Sequence, residues 1–141
     1  MVVDYQKLLE SYTQDIKKSL VHLKYSYEKV KNLSIHIEKT DSETLETWEG
    51  FVARFSRVSD IFVMKYLKTK VKLAEPGFRG SLLDLLNLSE KLNLIEDARA
   101  WCRIRELRNQ ATHDYTEEEF GEYLEEIRQL APAILAIENI L

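Results

Sequence analysis

Residues 48–66 read WEGFVARFSRVSDIFVMKY, and the spacing of their apolar members decides the fold class. Trp48, Phe51, Phe55, Phe62 and Tyr66, with Val52, Val58 and Ile61, recur at intervals of three and four. That is the period of an α-helix, not the two-residue alternation of a strand. So many aromatics on one helix predict that it lies at the centre of the core. Thr40 and Glu43 have capping-box spacing and mark its expected start.

The same period extends in both directions. Toward the N-terminus, Leu9, Tyr12, Ile16, Leu20, Leu23, Tyr27 and Val30 form one stripe down a first helix of about seven or eight turns, with lysines on the other face. Residues 32–41 read as its frayed end and a linker. Toward the C-terminus, Pro76, Gly77 and Gly80 mark a break, after which Ser81 can cap a short helix through about Leu92. A fourth helix is expected from near Ile95 to about Ala111, with Ala98, Trp101, Ile104, Leu107 and Ala111 facing inward. Thr116 and Glu119 again have capping-box spacing and open a last helix, whose early acids suit a helix N-terminus. Pro132 falls inside that pattern, so a kink or restart is expected before residues 134–141. The expectation is an all-α fold, an antiparallel four-helix bundle with an additional short helix, forming one domain over residues 1–141.

Composition agrees with a single globular domain: 141 residues, 45% apolar and 31% charged, with four Gly and two Pro. No apolar run approaches the roughly 18 residues needed to span a bilayer. The start, Met1 to Tyr5, lacks the basic-then-apolar order of a secretion signal, so a cytoplasmic location is expected. The single Cys102 has no second thiol for a disulfide or a CxxC pair and reads as a core thiol. Net charge is −4, divided as +3 over residues 1–72 and −7 over residues 73–141. A globally basic nucleic-acid binder is disfavoured, and any contact with RNA or DNA has to come from a local patch.

The sequence contains no GxxxxGK[ST] or GxGxxG phosphate loop, no HExxH, no GxSxG and no EF-hand pattern. His22 and His36 stand 14 residues apart without carboxylates at ligand spacing, so they read as ordinary surface or interhelix histidines. Neither a metal site nor a cofactor is expected.

One stretch stands apart, Arg108-Asn109-Gln110-Ala111-Thr112-His113-Asp114-Tyr115. Residues five apart on an unbroken helix point about 140° away from each other. Arg108 and His113 can therefore converge only where the helix stops between them. Thr116 as an N-cap requires that interruption, and an extended connector would place His113 and Tyr115 on one side. Histidine can donate or accept a proton at neutral pH, while arginine holds a phosphate through paired N–H donors. Together they suit metal-independent cleavage of RNA by its own 2′-hydroxyl. Arg108 would stabilise phosphoryl charge, His113 would act as general acid or base, and Asn109 would orient either group. The plainer alternative is that Arg108 caps the helix or pairs with Asp114, His113 closes a turn, and Tyr115 packs. Arg99, Arg103, Arg105 and Arg108 offer a strip that would offset the nearby glutamates, with Arg103 and Arg105 as RNA-binding candidates. The same arginines could instead form a solvated face with local salt bridges.

Residues 108–115 resemble the Arg-x4-His-x-Tyr motif of HEPN proteins, in particular HepT-like toxins and the related nucleotidyltransferase substrate-binding subunits. The helical second segment, residues 51–57 with Asp60, is more loosely similar to the latter branch. The resemblance implies a homodimer in which two motifs share a cleft and cleave RNA without metal, with Arg108 and His113 as the catalytic pair and Asn109 in support. It also implies a type VII-like toxin–antitoxin module, in which a minimal nucleotidyltransferase antitoxin neutralises the toxin and can adenylylate the motif tyrosine, here Tyr115. Such a group adds charge and a bulky base beside the arginine, which would block RNA phosphate. Three functions are open at this stage: the toxin ribonuclease, a non-catalytic subunit that docks a nucleotidyltransferase, and a plain helical adaptor.

Overall fold

In the computed structural model, which describes residues 2–141, the first helix (α1, Tyr5–Val30) opens at Asp4, whose carboxylate accepts from the Lys7 amide at 3.1 Å. The expected stripe is its buried face: Leu9, Ile16, Leu20, Leu23 and Val30 are buried, with Tyr12 and Tyr27 half-buried at the edges. The helix ends against Arg128 of the last helix, whose Nη1 donates to the Val30 and Leu33 carbonyls at 3.0 and 2.5 Å. The Val30 carbonyl, at the helix end, also accepts from the Leu33 amide at 3.0 Å, so Arg128 is its second donor. The segment that follows is more than a linker. Leu33, Ile35 and Ile37 pack on the core, and residues Ile37–Lys39 form a 3-10 turn.

The second helix (α2, Ser42–Ile61) starts one residue later than the Thr40–Glu43 spacing suggests. Asp41 is the cap, its carboxylate accepting from the Thr44 amide at 2.7 Å, while the Thr40 hydroxyl is spent on the His36 carbonyl. The chain then continues through a π-helical segment, Phe62–Leu67, into α3, Lys68–Ala74. The π segment buries Phe62, Val63, Tyr66 and Leu67. Its Phe62 ring stacks on Tyr66 and lies 4.8 Å from Trp101, which joins this rod to the fifth helix. Trp48, Phe51, Phe55 and Phe62 are completely buried, so the aromatic segment is the centre of the core.

Helix α4, Leu82–Lys91, carries the expected Ser81 cap, completed by Asp84 as a reciprocal capping box. It stops at Asn93, whose φ of 60° lies in the left-handed region. The Asn93 amide donates to Glu90 and the Leu94 amide to Ser89, a Schellman arrangement. Helix α5, Ala98–Asn109, is shorter than expected at both ends. Asp97 accepts from the Arg99 and Ala100 amides, and Glu90 of α4 accepts from Ala98, so the helix is capped two residues after Ile95. Ala98, Trp101, Ile104 and Leu107 are buried as expected, and Ala111 packs on the core beyond the helix end.

The last helix (α6, Glu117–Leu135) has the expected Thr116–Glu119 capping box. Pro132 does not restart the helix, which runs on through it to Leu135 and tightens into a 3-10 turn only at Ala136–Ile140. Pro132 is exposed, and buried Ala131, Ile134 and Ile137 on either side hold the segment on the core. Cys102 is half-buried at the edge of the core instead of inside it. The described residues are all-helical and form a helical bundle, with α2 touching α1, α5 and α6. Among them, no helix is long and apolar enough to cross a membrane.

Candidate functional site

The connector between α5 and α6 has the interrupted form that the motif requires. After Asn109 the backbone tightens into turns, with Ala111 donating to Arg108 and His113 to Gln110, before Thr116 caps α6 in extended conformation. Two tyrosines take carbonyls released where α5 ends. The buried Tyr123 hydroxyl donates to Leu107 at 2.7 Å, and the Tyr115 hydroxyl donates to Gln110 at 3.0 Å. The Tyr115 ring stacks on Tyr123 with centroids 5.1 Å apart, and His113 lies 5.8 Å from it on the exposed side. His113 and Tyr115 thus share a side. Burial raises the Tyr115 pKa, helped by Glu119 and opposed by Arg103. The phenol is therefore neutral at pH 7 and keeps its proton, which it donates to the Gln110 carbonyl.

Arg108 points elsewhere. Its guanidinium meets Asp60 of α2 in a two-point pair, Nε to Oδ1 at 2.6 Å and Nη2 to Oδ2 at 3.0 Å. Arg105, one turn earlier, donates to the same Oδ1 at 2.8 Å and to the Ser59 hydroxyl at 2.9 Å. One carboxylate therefore serves two arginines. Burial alone would raise the Asp60 pKa, but hydrogen bonds from Arg108 and then Arg105 hold it below the usual carboxylate range. The partner of Arg108 is neither the helix C-terminus nor Asp114. Among the described residues no hydrogen bond joins Arg108 to His113. Asn109 is exposed at the last turn of α5.

Three of the four arginines of the α5 strip do not stand free; Arg99 is exposed and makes no ion pair among the described residues. Arg105 is 7% exposed, and its Nε is buried without a partner. Arg103 is clamped by Glu126 through Nε and Nη2 at 2.5 and 2.7 Å and also pairs with Glu106. Hydrogen bonds from Arg103 lower the Glu126 pKa. Of the two RNA-binding candidates, Arg105 is corrected to a buried structural cation, while Arg103, its side chain 41% exposed, is held in ion pairs with Glu126 and Glu106. Burial of the Arg105 stem and two acids beside Arg103 were invisible in the spacing alone. Some of the nearby acid is neutralised in the same way: Glu126 by Arg103 and Glu125 by Arg128, with Glu119 turned into the capping box.

The opening beside Arg108 is a groove of about 1050 Å³ between α1 and α2. Lys18, His22, Arg54, Arg57 and Lys65 line it with Arg108, against only two acids, Asp15 and Asp60. Sequence reading missed this surface, although Asp15, Lys18 and His22 on α1 and Arg54, Arg57 and Asp60 on α2 repeat at helical spacing. A second, mostly apolar cavity of about 270 Å³ between α3 and α4 contains no motif residue. Among the described residues no three His, Cys, Asp or Glu side chains gather as metal ligands would. In comparisons with protein-family models, curated proteins and solved structures, nothing matches this chain.

Proposed function

We propose that this chain is a metal-independent endoribonuclease of the HEPN toxin type, acting through Arg108 and His113. The observation that carries the reading is that the helix stops between Arg108 and His113 and leaves both side chains accessible. Arg108 is 34% exposed and lines an open cationic groove, and His113 stands exposed on the interrupted connector. In the reaction the 2′-oxygen attacks the adjacent phosphorus and the 5′-oxygen leaves, giving a cyclic phosphate and a free 5′-hydroxyl. One proton has to be removed from the 2′-hydroxyl and one delivered to the leaving oxygen. The motif supplies one histidine per chain, so a two-fold dimer supplies both roles, with the partner's His113 taking the second. Arg108 offers its N–H fork to the phosphoryl oxygens as charge builds there, and Asn109 orients the group beside it. A minimal nucleotidyltransferase is the expected antitoxin, and Tyr115 its expected acceptor.

A second reading, a non-catalytic subunit that docks a nucleotidyltransferase, is favoured by one feature: the Arg108 charge is already matched by Asp60. The deciding test is RNA cleavage in EDTA by the purified, unmodified chain beside a His113→Ala control of equal fold. Cleavage by the parent alone supports the ribonuclease. No cleavage by either, with Tyr115 unmodified by mass spectrometry, transfers the assignment to the docking subunit.

A further inference from the structure

Arg103, Arg105, Arg108, Arg128 and Lys31 are matched by carboxylates. Lys18, Arg54, Arg57 and Lys65, which line the α1–α2 groove, make no ion pair among the described residues. Two of them are nevertheless fixed in place. Arg54 Nη1 donates to the Ser26 hydroxyl at 2.7 Å and to the His22 carbonyl at 3.2 Å, and Arg57 Nε donates to the Ser19 hydroxyl at 3.4 Å. A serine hydroxyl orients a guanidinium without cancelling its charge, so the positive field remains available to a ligand. Ser56 also lines the groove, and its hydroxyl is buried without a hydrogen-bond partner.

Aromatics flank this row. Tyr25 is 59% exposed, with the Arg54 guanidinium 5.9 Å and Lys29 Nζ 4.8 Å from its ring centre. Further back along α1, Lys65 Nζ lies 5.8 Å from the Tyr12 ring. The two tyrosines are about 20 Å apart along the helix axis at 1.5 Å per residue. A cationic groove with an exposed aromatic beside it is the arrangement that holds an unpaired strand, phosphates on the cations and a base on the ring. A duplex keeps its bases stacked away from such a ring.

We infer that the α1–α2 groove is a track for single-stranded RNA, with Lys18, Arg54, Arg57 and Lys65 on its phosphates and Tyr25 stacking a base, leading the strand toward Arg108. The inference rests on the ribonuclease reading for the identity of the strand. It assigns the RNA phosphates to these residues and not to Arg103 or Arg105.

The test is fluorescence anisotropy with a labelled single-stranded RNA of about 12 nucleotides, a length within the range such grooves cover. The full chain carries His113→Ala in EDTA so that the probe survives. Lys18→Glu with Arg57→Glu should weaken binding at least tenfold and flatten the salt dependence, since each phosphate contact contributes about 0.7 to the slope on single strands. Tyr25→Ala, at an exposed position, should weaken binding several-fold with little change in that slope. Lys39→Glu with Lys91→Glu, at exposed positions outside the groove and with the same change in net charge, is the control for charge alone, and thermal melts confirm that each variant is folded. Binding that falls no further in the groove double variant than in this control overturns the track, even where the parent cleaves RNA. Groove-dependent binding by a parent that cleaves nothing overturns the ribonuclease and leaves the track standing.

Discussion

Arg108 and Asp60 meet edge to edge, Nε 2.6 Å from Oδ1 and Nη2 3.0 Å from Oδ2, across the contact between α5 and α2. The motif arginine is therefore held by a residue 48 positions away, and the same carboxylate carries the buried Arg105. Asp60 acts on both stability and the site. It satisfies a cation that could not be buried alone, and it holds Arg108 by one edge, leaving three of its five N–H donors unused.

Replacing Asp60 by Asn should destabilise the chain by about 1–2 kcal/mol at pH 7. The figure is kept low because the Asp60 side chain is 38% exposed and its pairs are partly screened. The pH dependence has a definite sign. The folded-state pKa lies below the unfolded value of about 3.9, so the contribution is full at neutral pH and disappears as pH falls through the folded value. Urea melts of parent and Asp60→Asn should differ most above pH 5 and converge toward pH 3. A gap that persists undiminished in acid would show that the carboxylate charge is not its source.

The two arginines on Asp60 should separate stability from function. Arg105→Ala removes a side chain that is 9% exposed, together with its bonds to Ser59 and Asp60, and should cost about 2–3 kcal/mol. Arg108→Ala, one-third exposed, should cost less than about 1 kcal/mol while lowering RNA cleavage by a factor on the order of 100 or more. Arg108→Lys keeps the charge but loses the two-point geometry, and should recover only a small part of the activity. Equal losses of stability in Arg105→Ala and Arg108→Ala would contradict this division.

The helices were legible in the sequence because their signals are local. Apolar spacing located the stripe from Leu9 to Val30, and Ser81 and Thr116 gave true caps. Local spacing failed where two candidates compete within a residue or two, as with Thr40 and Asp41, or where burial on either side overrides a breaker, as at Pro132. The interruption between Arg108 and His113 was readable from the Thr116 cap. Asp60 as the partner of Arg108, and the burial of Arg105, were not, since both depend on how α2 docks against α5. The groove has the same origin: each ridge is periodic, but only their apposition creates the space.

Tyr115→Phe removes the expected acceptor for AMP together with the hydrogen bond to the Gln110 carbonyl. The ring keeps its stack on Tyr123, so the stability loss should stay near 1 kcal/mol. RNA cleavage by the unmodified protein should persist. After incubation with the cognate nucleotidyltransferase and ATP, the parent should gain the mass of AMP and the variant should not. A gain of AMP on Tyr115→Phe would move the modification to another side chain.

Arg128 closes the bundle at a point that no motif marks. Its guanidinium bonds the Val30 and Leu33 carbonyls, pairs with Glu125, and sits 5.6 Å from the Trp48 ring centre. One side chain thereby joins the end of α1 to α2 and α6. Arg128→Met keeps the stem but removes the donor to the Leu33 carbonyl, the second donor to the Val30 carbonyl and the cation beside Glu125, which should cost about 1–3 kcal/mol. The urea midpoint should fall with an unchanged m value, because the surface exposed on unfolding stays the same. Arg128 is distinct from the residues assigned to the RNA site, so cleavage at temperatures well below the melt should be retained. A reduced m value would instead mean that α1 detaches before the rest of the bundle unfolds.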